Sequence, residues 1–84
     1  MIHHKIMLDK PFANVLRRLR TEKGLSQEEF GSAADLHRTY VSQLERGLKS
    51  PSLKTLYKIA SVLGISLTEL IALVEQEINV LSRR

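Results

Sequence analysis

The sequence predicts an all-α fold, a compact bundle of five helices, and three observations carry that prediction. Apolar residues recur at i, i+3 and i+4 in every segment, the spacing that gathers one face of a helix. No run shows the sustained alternation of β-branched or aromatic residues that marks a half-buried strand. The periodic segments are bounded by cap and stop residues: Ser26, Ser52 and Ser66 precede three of them, and Gly24, Gly47 and Gly64 follow three. With 84 residues, 43% hydrophobic and 26% charged, the chain can close one small core and has no room for a second.

The first helix is expected to begin near Pro11, since proline is tolerated in a first turn. Its inner face is Phe12, Val15, Leu16 and Leu19, and it stops before Gly24. In "SQEE", Ser26 and Glu29 form a capping box that opens a short second helix, Gln27 to Ala34. After a turn at Asp35 and Leu36, a third helix ends at Gly47, the residue best suited to a left-handed cap. Ser52 caps a fourth helix with Leu53, Leu56, Ile59, Ala60 and Leu63 inward, closed by Gly64. Ser66 and Glu69 form a second capping box, opening a fifth helix that runs to about Ser82 with Leu67, Leu70, Ile71, Val74, Ile78 and Leu81 as its apolar set. This divides the chain into an N-terminal arm (1–10), a core domain (11–74) and a C-terminal extension of the last helix (75–84).

Several function classes fall away. There is no cysteine, so neither a disulfide framework nor a thiolate metal site is expected. The histidines are an adjacent pair, His3 and His4, and a singleton, His37, without zinc-ligand spacing. Glu28 and Glu29 suit a helix start, and Glu75 and Glu77 read as solvated surface rather than as an acid–base pair. No phosphate-cradling glycine loop or nucleophile constellation is present, so no enzyme activity, cofactor or metal is expected. No apolar run approaches the roughly 20 residues of a membrane helix, and "MIHHKIMLDK" lacks the apolar segment of a signal peptide. A cytoplasmic protein without membrane partners is the expectation.

The strongest functional signal lies in helices two and three. Gly31 permits a close approach at the crossing, despite costing ~1 kcal/mol in helix propensity. Asp35 accepts the left-handed conformation that a tight interhelical turn requires better than most residues. Val41 and Leu44, three apart, pin the third helix inward and leave its other faces free. Those faces carry Arg38, Thr39, Ser42, Gln43 and Arg46, with Tyr40 to one side. Arginine can fork onto guanine, glutamine onto adenine, and threonine can meet thymine's methyl group. From His37 to Lys58 there are five cations (Arg38, Arg46, Lys49, Lys54, Lys58) against one anion, Glu45. That local +4 equals the net charge of the whole chain, so the basic excess is concentrated around the third helix.

From Leu16 to Leu70, with "GLSQEEF", "YVSQLERG", "PSLKTL" and "LGISLTEL" in order, the sequence resembles the helix-turn-helix domain of phage Cro and lambda-type repressor proteins and their bacterial relatives. "RTYVSQLERG" and the small size also resemble the controller proteins of restriction–modification systems. The resemblance implies a sequence-specific, double-stranded DNA-binding transcription regulator. It further implies that Arg38, Thr39, Ser42 and Gln43 face base edges and that Gln27, Tyr40, Arg46 and Lys49 hold phosphates. Arg20 and Glu45 would form an internal salt bridge. His37 stands where Ser, Thr or Asp is usual before the third helix, leaving a weaker cap, a DNA contact or a plain exposed histidine as readings.

The apolar stripe of the last helix, Leu70, Ile71, Val74, Ile78 and Leu81, outlasts what a small bundle can cover, so its distal half is expected to lack a covering surface within the chain, and Leu70, Val74, Ile78 and Leu81 are the expected interface. A second copy is expected to cover it; packing against the arm residues Ile2, Ile6, Met7 and Leu8 is the alternative. A twofold homodimer would set two third helices about 34 Å apart on a near-palindromic operator. RNA polymerase is a further expected partner, and the competing class is a protein-interaction module such as an antitoxin-like partner.

Overall fold

The computed structural model describes residues 8–83, which form five helices: α1 (Asp9–Glu22), α2 (Gln27–Ala34), α3 (Arg38–Glu45), α4 (Leu53–Leu63) and α5 (Leu67–Ser82). Both capping boxes form. Ser26 Oγ accepts from Glu29 N and Ser66 Oγ from Glu69 N, each at 3.0 Å, while each glutamate accepts the backbone N–H of its serine at 2.8 and 2.9 Å respectively. Ser52 caps α4 by accepting from Thr55 N, and Gly64 ends it with φ 74°. These local bonds satisfy first-turn amides that have no intrahelical partner.

The core gathers Phe12, Val15 and Leu16 of α1, Phe30 and Ala34 of α2, Val41 and Leu44 of α3, Ile59, Ala60 and Leu63 of α4, and Leu70 and Val74 of α5. α1 is central, lying against both α3 and α5. Among the described residues, no single helix is long and apolar enough to cross a membrane.

Three expectations are corrected. α1 begins two residues before Pro11, at Asp9. Pro11 occupies the third helical position, where a missing N–H breaks no intrahelical bond, so the helix extends back through it. Leu53 is not core but 69% exposed. It is the first residue of α4, and helical side chains lean toward the N-terminus, which carries Leu53 beyond the last core layer.

The third correction concerns α5. Leu70 and Val74, expected to face a second copy, are 0% and 8% exposed and belong to the chain's own core. Ile78 is half-buried against the same core, and Leu81 is half-buried one turn later. The Leu70–Val74 part of the stripe is covered within the chain, where α1 runs alongside α5, and polar groups fix the pairing: Asn14 Nδ2 donates to Glu77 Oε2 at 3.0 Å, and Arg18 lies 3.5 Å from Glu77 Oε1. Glu77 is therefore a tie between helices rather than a solvated partner of Glu75. The large apolar side chains of α5 left exposed are Ile71 and Val80. Ile71 borders a shallow apolar cleft of about 150 Å³ shared with Leu8, Phe12, Pro51, Leu56 and Val74. Of the arm residues expected to pack nearby, Leu8 is half-exposed at this cleft, while Ile2, Ile6 and Met7 lie outside the described residues.

Candidate nucleic-acid interface

The turn between α2 and α3 is set by two residues. Asp35 terminates α2 in the left-handed region, φ 57° and ψ 47°, the one described non-glycine residue with positive φ. Its conformation returns the Leu36 N–H to the Gly31 carbonyl at 2.8 Å. A Cβ on Gly31 would stand 2.5 Å from the Leu36 carbonyl oxygen. The need for glycine thus comes from the turn backbone folding over α2, as well as from the helix crossing.

The chain then extends at His37, φ −67° and ψ 141°, and the imidazole closes the end of α3. His37 Nδ1 accepts the Thr39 backbone N–H at 3.0 Å. The cap thus requires an imidazole with a bare Nδ1. His37 is exposed, and its ring caps α3.

Within α3, Val41 and Leu44 are fully buried and Glu45 is nearly so. Arg38 and Thr39 are exposed, Ser42 and Gln43 half-buried. Spacings of four place Arg38 over Ser42, Thr39 over Gln43, and Ser42 over Arg46, so the four expected base readers and Arg46 share one polar face. No acidic residue lies in the first turn of α3, leaving its positive end and Arg38 unopposed by a local carboxylate. Arg46 follows the last turn, exposed, with Nε 3.4 Å from the Ser42 carbonyl. Tyr40 is half-buried and packs on the core with part of its ring. Lys49 is exposed in the loop that joins α3 to α4. That loop is tied to α1: Ser50 Oγ donates to Asp9 Oδ1, and a Cβ on Gly47 would lie 3.7 Å from the Asp9 carbonyl oxygen.

Behind this face sits a buried ionic group. Arg20 grips Glu45 with two bonds, Nε to Oε2 at 2.5 Å and Nη2 to Oε1 at 2.8 Å. Its third nitrogen, Nη1, donates to the Leu25 carbonyl at 2.7 Å. The hydrogen bond to Glu45 raises the Arg20 pKa above its ordinary value, against the opposing effect of burial. Gln27, expected at a phosphate, also belongs to this group: its Nε2 donates to Glu45 Oε1 at 3.2 Å. The Arg20–Glu45 pair was legible from family resemblance, whereas the Gln27 limb had no sequence signal.

The helix-turn-helix family model HTH_3 matches residues 16–70, the span that holds the turn, the polar face and the buried pair. The chain belongs to the HTH_3 helix-turn-helix family. Control protein C.MunI of a Mycoplasma species is 49% identical to this HTH_3 chain over 67 residues, 79% of this chain and 90% of that protein. The crystal structure of the restriction–modification controller protein C.AhdI from Aeromonas hydrophila matches with a TM-score of 0.70 at 44% identity, covering 73% of this chain and 92% of that one. The clp gene regulator ClgR from Corynebacterium glutamicum gives a TM-score of 0.86 at 25% identity, over 95% and 85% of the two chains. This HTH_3 protein is a DNA-binding transcriptional regulator, a class distinct from enzymes.

Proposed function

We propose that the chain regulates a restriction–modification system by binding, as a homodimer, a near-palindromic operator in cytoplasmic DNA. The observation that carries the reading is the polar face of α3, which keeps Arg38, Thr39, Ser42 and Gln43 clear of the core while Val41 and Leu44 anchor the helix. Similarity to C.MunI and C.AhdI supports the choice of regulated system. In this reading those four residues meet base edges, and Gln27, Tyr40, Arg46 and Lys49 hold phosphates and fix the register. Where the operator adjoins a promoter, RNA polymerase is the partner whose access changes.

The second copy is assigned to the apolar surface around Ile71, Leu67 and Leu8, since Leu70 and Val74 are occupied within the chain. Ile78 and Leu81, half-buried toward the end of α5, would lie at its margin.

The test begins with a duplex selected by the protein from a randomised pool. Arg38→Ala should lose roughly 1–3 kcal/mol of affinity at one base position. Lys49→Ala should weaken all duplexes alike and flatten the salt dependence by about one phosphate contact. Equal binding of selected and scrambled duplexes above ~100 mM salt would reject the operator reading and leave a protein-interaction module as the alternative.

A further inference from the structure

The Gln27 amide is the limb of the buried ionic group that reaches a partly exposed position. Gln27 is half-buried at the first position of α2, whereas the Glu45 side chain to which it donates is 3% exposed. A side-chain amide has two N–H donors and one carbonyl acceptor, and an ionised carboxylate only accepts. Glu45 can therefore engage Gln27 only through nitrogen, never through the amide oxygen. Arg20 holds the carboxylate from two directions and is itself anchored on the Leu25 carbonyl. The reference to which Gln27 is aligned is thus fixed before any ligand arrives, and one amide N–H remains outside the bond to Glu45.

We propose that Glu45 is a positioning residue for a phosphate contact: by accepting one N–H of Gln27 it sets the orientation of the amide and presents the second N–H to a DNA phosphate. The proposal rests on the DNA-binding face described above and deepens it. It links α1, α2 and α3 in one chain of bonds, Leu25–Arg20–Glu45–Gln27, so that the buried pair acts on DNA without touching it. A flipped amide would put its oxygen, an acceptor, toward the phosphate, where it would be repelled. The orientation is what Glu45 supplies.

The experiment measures binding of the selected duplex and of single-site methylphosphonate versions of it. Gln27→Met removes the amide at similar length and leaves the Arg20–Glu45 bonds in place. It should weaken binding roughly twofold to tenfold, the worth of one hydrogen bond. The salt slope should not change, because a neutral amide releases no counterion. One methylphosphonate position should weaken the native protein and leave the Gln27→Met variant unaffected. Glu45→Gln should weaken binding in the native background and by less than half as many fold in the Gln27→Met background, with both proteins shown folded by circular dichroism. Equal effects of Glu45→Gln in the two backgrounds would overturn the proposal, since Glu45 would then act by placing α3. So would undiminished binding by Gln27→Met. Arg38→Ala is the control: if it too binds every duplex like the native protein, the DNA-binding face has failed rather than the positioning step.

Discussion

At the scale of single residues, Gly31, His37 and Glu29 each set one local feature of α2 and α3: their turn, the start of α3 and the start of α2. Gly31→Ala would set a methyl group 2.5 Å from the Leu36 carbonyl oxygen, so the turn backbone that leads into α3 would have to shift. Overpacking of that kind costs about 1–3 kcal/mol, enough to offset the ~1 kcal/mol gained in helix propensity. A lower denaturation midpoint at unchanged slope would report it. His37→Ala deletes the acceptor for Thr39 N and should cost about 1 kcal/mol, whereas His37→Ser should retain most of the stability, as measured by thermal melting. Glu29 supplies a pH-dependent contribution. The Ser26 backbone N–H, with help from the Ser26 hydroxyl, holds its carboxyl below the usual range in the folded chain. That contribution is present above the unfolded carboxylate range and disappears as pH falls through the lower folded value. Native melting temperature should thus decline more steeply than that of Glu29→Gln between roughly pH 5 and pH 3.

At the scale of elements, sequence and structure agree at most boundaries set by local bonds, the start of α1 and the His37 cap being the exceptions. Both capping boxes, the left-handed stops and the bounds of α2, α3 and α5 follow from neighbours within four residues. The polar face of α3 was legible for the same reason, since two anchors in a helix of eight residues leave most of its circumference free. What was not legible depends on which helix lies beside which. Glu77 reads as one of two surface carboxylates until α1 places Asn14 and Arg18 against it. Gln27 reads as a first-turn residue until Glu45, 18 positions later, takes its N–H. The imidazole cap escaped because histidine seldom fills that role. A consequence of tertiary placement can be measured at Arg20. Arg20→Leu leaves Glu45 buried without a partner and should cost about 3–5 kcal/mol, while Arg20→Leu with Glu45→Leu should recover much of that loss. Urea titration of the three proteins compares them directly.

At the scale of the whole molecule, the Cα atoms span 42 × 22 × 20 Å. The core explains the compact part, and among the described residues an apolar surface remains at Leu8 and Ile71, with Leu67 half-buried beside it. Sequence periodicity identified a surplus of apolar residues on α5 without separating Leu70 and Val74, which the chain's own core takes, from the rest, because a helical stripe wide enough to serve two neighbours does not reveal which half each neighbour takes. Ile71→Glu should lower dimer content in sedimentation at tens of micromolar and leave the melting curve of the monomer nearly unchanged. Leu70→Ala should instead cost about 2–5 kcal/mol of folding stability, as for a large core residue.

The bond between Ser50 and Asp9 bears on the phosphate contact proposed for Lys49. It closes the loop bearing Lys49 onto the first turn of α1, 41 residues away in sequence, so that loop is restrained at Ser50, next to the lysine. A restrained loop has fewer conformations to surrender when it meets a rigid duplex, and the entropy lost on association is correspondingly smaller. The phosphate contact proposed for Lys49 would therefore depend on how narrowly the lysine was confined beforehand as well as on its charge.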